Sequence, residues 1–163
     1  DLAAMRTSLW PGLLQAARGN LARQQERMRL FESGLRFQQA ASGLRQEPML
    51  AGLVLGDTSP EQWGEAGRAA DFHDIKADVE AILALTGAPW EFRFVHGEHP
   101  ALHPGQTARI ERQGQPIGLL GMLHPAQAAE LDLGANSYLF ELALTSLREG
   151  TLPTFAPISR SSW

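Results

Sequence analysis

The chain has 163 residues, 44% hydrophobic and 20% charged, with a formal net charge of −4 and no cysteine. That length suits a single domain, in which folding hides about 70% of the surface the unfolded chain exposes. The lack of cysteine excludes disulfides, thiolate metal sites and a cysteine nucleophile, which fits a reducing cytoplasm, and no apolar run approaches the roughly 18 residues of a membrane helix.

The first residue is Asp1 and no basic, apolar leader follows it, so a piece of a longer protein without a secretory signal is expected. Pro11 suits a first helical turn, where its missing N–H has no partner to lose, and the spacing predicts a helix over 11–28. Leu14, Ala17, Leu21 and Met28 form its apolar stripe, with Arg18, Arg23 and Arg27 on other faces. The stretch RLFESGLRF (29–37) predicts a strand with a bulge or close backbone approach at Gly34. QQAASGLRQE (38–47) is polar and small, hence a loop. PMLAGLVLG (48–56) is a continuous apolar run, hence a central strand covered on both faces. Residues 59–67 predict a loop or short helix around Trp63.

DFHDIKADVEAILALTG (71–87) predicts the second long helix, with Asp71 as N-cap, Ile75, Val79, Ile82 and Leu83 as apolar stripe, and Gly87 at its C-terminal stop. WEFRFVHG (90–97) alternates as a half-buried strand does. A hairpin is expected with arms at 107–112 and 116–122 joined across Gln113-Gly114-Gln115, and Pro125 opens a short helix. SYLFELALTSL (137–147) alternates Tyr138, Phe140 and Leu142 against Leu139, Glu141 and Ala143, predicting a last strand. The sum is about six strands and three or four helices linked by hairpins and irregular turns, an α+β fold with a mainly antiparallel sheet flanked by helices. Residues 1–155 form the expected domain and 156–163 a linker.

Candidate chemistry is sparse. His96, His99 and His103 fall within eight residues and raise the question of zinc, yet no HExxH is present. Leu-His-Pro occurs twice, and Pro104-Gly105 and Pro125 make these tripeptides punctuation at the two ends of the hairpin. No metal ligand and no catalytic residue is assigned. Asp74 and Asp78 share a helix face and could hold magnesium through water, whereas Asp71 and its neighbours also suit a cap and the helix dipole. There is no GxSxG, GxxxxGK[ST] or GxGxxG. Residues 1–45 carry seven Arg against three acids, a balance of +4, leaving −8 for the rest. Arg18, Arg23 and Arg27 therefore read as an RNA-contacting surface or as a solvated helix face.

Taken together, MRTSLWPGLLQAARGNLARQ (5–24), RLFESGLRF (29–37), LAGLVLG (50–56), DFHDIKADVEAIL (71–83), LHPGQTARI (102–110), IGLLGMLHP (117–125) and YLFELAL (138–144) resemble the catalytic-like region of the bacterial phenylalanyl-tRNA synthetase beta subunit. The resemblance implies a fold similar to a class II aminoacyl-tRNA synthetase catalytic domain that has lost the reaction. It likens residues 11–37 to the class II dimerisation motif and so names Leu14, Ala17, Leu21, Met28, Phe31 and Phe37 as an interface with the alpha subunit. It implies a cytoplasmic, heterotetrameric ligase in which ATP, magnesium and tRNA(Phe) belong to the holoenzyme and no cofactor belongs to this part, which can self-associate when alone. The class II catalytic signatures are absent: FRFV (92–95) has Val95 where Phe-Arg-x-Glu needs its acid, and GLLGMLHP (118–125) has no ATP-clamping Arg. Ala77 stands where the family usually has Gly, and ISRSSW (158–163) where Phe-Pro is expected.

Overall fold

In a computed structural model that describes residues 8–22, 27–56, 69–133 and 136–148, the chain runs α1 (Trp10–Ala22), β1 (Met28–Ala40), β2 (Gly43–Leu55), α2 (Phe72–Ala84), β3 (Phe92–His96), β4 (Leu102–Arg112), β5 (Gln115–Leu123), α3 (Pro125–Glu130) and β6 (Ser137–Ala143). The strands form one six-stranded sheet in the order β1-β2-β6-β5-β4-β3, and every pairing is antiparallel. This is the expected α+β class. The hairpins follow from local chemistry. Gln113 and Gly114 both take positive φ, the two-residue turn whose twist matches antiparallel arms, so β4 and β5 meet at Arg112 and Gln115.

Alternation along β2 and β6 divides the core into two layers. Met49, Ala51, Leu53, Leu139 and Ala143 face α1, with Leu9, Trp10, Leu13, Leu14 and Ala17 above them. Val54, Tyr138, Phe140 and Leu142 face α2, with Ile75, Val79 and Leu83 above them. The central strands are therefore buried on both faces, and β6 is buried at all seven positions. Asp71 caps α2 through a reciprocal pair of bonds: the Asp74 amide donates to Asp71 Oδ1 at 3.1 Å and the Asp71 amide donates to Asp74 Oδ2 at 2.8 Å. Asp71 and Asp74 build this cap, while Asp78, which shares a helix face with Asp74, pairs with Arg29 of β1. Asp71→Ala is expected to lower unfolding free energy by about 1 kcal/mol in a urea titration, and a change near zero would deny the cap its energetic role.

Several local expectations are corrected. α1 is described as far as Ala22, and its expected reach to Met28 is corrected because the chain is already paired as a strand from Met28 on. Met28 opens β1 opposite Leu55. Residues 38–47 are the distal arms of the β1–β2 hairpin, not a loop, with Ala41 and Ser42 alone forming the turn before Gly43 at φ 115°. Gly34 opposes Met49 in unbroken register, so β1 has no bulge there. Two register shifts lie in β4 instead, one between Ile110 and Glu111 and one between Leu102 and Thr107, where Pro104-Gly105 sits within a strand rather than at a hairpin turn. Residues 89–91 form a 3-10 turn before β3, and residues 144–147 another after β6. The readings at 59–67 and 156–163, and Arg23, lie outside the described residues.

Candidate functional site

The antiparallel register gathers charge on the α1 face of the sheet. Arg109, Leu119, Glu141 and Ala51 form one cross-strand row through β4, β5, β6 and β2. Beside it, Arg36 of β1 opposes Glu47 of β2. These side chains and Glu98 surround a cleft of about 340 Å³ floored by Met49, Leu119 and Ala143. Arg36 donates to Glu47 Oε1 from Nε at 3.1 Å and from a terminal nitrogen at 2.8 Å. Arg109 donates twice to Glu111 Oε2, at 3.0 and 2.6 Å.

Glu141 is the buried member, 7% exposed. Its Oε2 accepts from the Leu9 amide at 2.9 Å and from Ser8 Oγ at 3.1 Å, while Trp10 Nε1 donates to the Phe140 carbonyl at 2.9 Å. These bonds staple the start of α1 to β6. The other oxygen, Oε1, faces Arg36 at 3.8 Å, beyond a direct hydrogen bond. Burial pushes the Glu141 carboxyl above the usual glutamate range, partly offset by the Leu9 and Ser8 hydrogen bonds and by Arg36. In the sequence Glu141 is marked only as a lone carboxylate among the apolar residues of its strand.

The cleft is poorly suited to a triphosphate. Both guanidinium groups already hold carboxylates, and the lining carries three Glu (47, 98, 141) against two Arg (36, 109). An incoming polyanion would have to displace Glu47 or Glu111 and then face Glu98 and Glu141 across a low-dielectric floor.

The predicted interface residues separate. Leu14, Ala17 and Met28 are buried at 7%, 0% and 7% exposure, and Leu21 packs against the same core. The helix stripe thus already has a partner in this chain's own sheet, and the expectation of an uncovered stripe is corrected. Phe31 and Phe37 lie on the other face of β1, together with Leu35. Phe31, Leu35 and Leu44 are 50%, 40% and 49% exposed, an apolar strip along the β1–β2 hairpin. Arg18 and Arg27 are exposed, whereas the neighbouring Arg29 pairs with Asp78 of α2.

The histidines serve turns. His99, His103 and His124 each accept through Nδ1 the amide two residues on, from Ala101, Gly105 and Ala126 at 3.0, 2.8 and 3.1 Å. Burial holds His99 below the usual imidazole range, and its ring meets Trp10 edge-on at 5.1 Å. His96 lies instead near Glu98, at 3.8 Å. Among the described residues no group of three His, Asp or Glu is arranged to hold a metal ion, and no described helix is long and apolar enough to cross a membrane.

A family model described as "Phenylalanyl tRNA synthetase beta chain CLM domain" matches residues 1–144. The chain is 56% identical over 160 residues to the phenylalanine–tRNA ligase beta subunit of Pseudomonas savastanoi pv. phaseolicola and 52% identical to that of Hahella chejuensis. Each match covers 98% of this chain and 20% of the relative, so the chain spans about a fifth of the relatives' length. Among solved structures it is similar to pyrrolysyl-tRNA synthetase from Desulfitobacterium hafniense, with a TM-score of 0.64 and 18% identity over 87% of this chain and 48% of that one. At that identity the likeness concerns the fold.

Proposed function

The chain belongs to the family of the phenylalanyl tRNA synthetase beta chain CLM domain, and from that premise we propose that it is a non-catalytic assembly domain of a phenylalanine–tRNA ligase. In this reading it packs against the alpha subunit of a cytoplasmic heterotetramer, while ATP, magnesium and the attachment of phenylalanine to tRNA(Phe) belong to the holoenzyme. One observation carries the proposal: on a domain whose central strands are covered on both faces, the β1–β2 hairpin still exposes Phe31, Leu35 and Leu44 in a row. Large apolar side chains grouped at a surface mark an interaction site. β1 as far as Phe37 belongs to the segment likened above to the class II dimerisation motif, and β2 with Leu44 extends beyond it; the apolar face of this hairpin, rather than the α1 stripe, is the docking surface. The same strip gives an isolated domain a route to self-association.

The cleft supports the non-catalytic half of the reading. Adenylate formation needs cationic side chains free to meet charge developing on phosphate oxygens, and here Arg36 and Arg109 are committed to Glu47 and Glu111. In the assembled ligase, Arg36→Gln with Arg109→Gln is expected to leave aminoacylation kcat/KM within about twofold. A loss of about 100-fold, near 2.7 kcal/mol of transition-state stabilisation, with subunit stoichiometry intact would overturn the proposal.

A further inference from the structure

We propose that the cleft on the α1 face binds a primary ammonium group, with Glu141 Oε1 as its main acceptor and Glu98 as its outer one. The site lies on the sheet face opposite the hairpin strip and stands independently of the assembly reading.

Geometry selects the charge of the ligand. Glu141 is 7% exposed and divides its two oxygens unequally: Oε2 is satisfied by Leu9 and Ser8, while Oε1 faces the cavity with Arg36 at 3.8 Å as its sole described neighbour of opposite charge. Arg36 is held off by its shorter bonds to Glu47. Arg109 is held by Glu111, and Glu98 stands at the rim with its side chain 83% exposed and the exposed His96 Nε2 3.8 Å from one of its oxygens. The cavity therefore presents one buried acceptor and one exposed carboxylate to any guest, and its paired guanidinium groups are spoken for. A cavity of about 340 Å³ falls at the small end of ligand sites, and the Met49, Leu119 and Ala143 floor suits a short alkyl body behind the ammonium. An ammonium donates three hydrogen bonds, enough to meet Oε1, Glu98 and solvent together.

Burial raises the Glu141 carboxyl above its ordinary range, with Arg36 opposing and Glu47 reinforcing that shift. A bound cation favours the ionised carboxylate. Binding then expels a proton whenever Glu141 begins protonated, and the affinity falls as pH drops through the raised pKa of the free site.

The chemistry is shared by alkylamines, polyamines and apolar amino acids, so titration calorimetry on the full-length beta subunit in its assembled enzyme uses three probes: propylammonium, putrescine and L-norvaline. At least one is expected to bind saturably, with an affinity that weakens on acidification and heats that differ between buffers of unequal ionisation enthalpy. Glu141→Gln, nearly isosteric, should weaken that binding by about tenfold or more, and the exposed Glu98→Gln by a smaller factor. Preference for putrescine assigns a polyamine, preference for norvaline an amino acid whose carboxylate stays in solvent at the rim, and equal binding a simple amine. No saturable binding by any probe, binding unaltered by both variants, or displacement of the probe by inorganic phosphate would overturn the proposal.

Discussion

A beta subunit carrying Phe31→Asp with Leu35→Asp is expected to bind its alpha partner at least about 100-fold more weakly while keeping its fold. Each large apolar anchor at an interface centre is worth about 2 kcal/mol or more on truncation, and a buried, unpaired carboxylate adds a desolvation cost. Stability should change little in the free chain, because Phe31 and Leu35 are 50% and 40% exposed. Phe31 touches the core chiefly through its tilted contact with Phe140, at 6.0 Å between ring centres. Leu85→Asp and Trp90→Asp are the matched controls: both residues are apolar and more exposed, at 83% and 77%, but belong to the α2–β3 connection. Their association should match the unsubstituted subunit, measured by fluorescence or sedimentation equilibrium. Equal weakening by the controls would point to general surface polarity instead of a defined strip.

The second large effect concerns the sheet itself. Gly118→Ala is expected to cost about 3 kcal/mol, the upper part of the range for forcing volume into a packed interior. A Cβ at Gly118 would stand 2.3 Å from the Glu141 carbonyl oxygen and 3.2 Å from Leu142 Cα. Both are backbone atoms of the neighbouring strand, whose Leu142 pairs in register with Gly118, so moving the Leu142 side chain, itself met at 2.9 Å, would not relieve the clash. Relief requires β5 and β6 to separate, which also opens the cleft. Urea unfolding should show a lowered midpoint at unchanged slope. A shift below about 0.5 kcal/mol would mean that the strands accommodate the methyl group.

Local chemistry made part of the fold legible in advance. Asp71 reads as a cap because its partner is three residues away, and Phe92, Phe94 and His96 read as a strand because alternation is a short-range pattern. The distal hairpin arms were missed because they extend beyond the core, where exposed polar residues lose the apolar period, and pairing such as Arg36 with Glu47 holds them. The partner of the α1 stripe was also illegible. Leu14 and Ala17 meet Met49 and Leu53, more than thirty positions away, and no local pattern states which sheet face a helix will cover. For the cleft, sequence offered Arg36, Glu47, Arg109 and Glu141 as scattered charges, and only the strand order brings them together. Gly52 makes the same point: its missing side chain leaves room for the Phe140 ring, which a Cβ there would meet at 2.3 Å.

Assembly through the hairpin strip is most directly tested by hydroxyl-radical footprinting of the full-length beta subunit, free and bound to alpha. Oxidation of Phe31, Leu35 and Leu44 should fall at least severalfold on complex formation, with Leu85 and Trp90 unchanged. Equal oxidation of the three hairpin residues in both states, in a preparation shown to be fully assembled, would contradict the account.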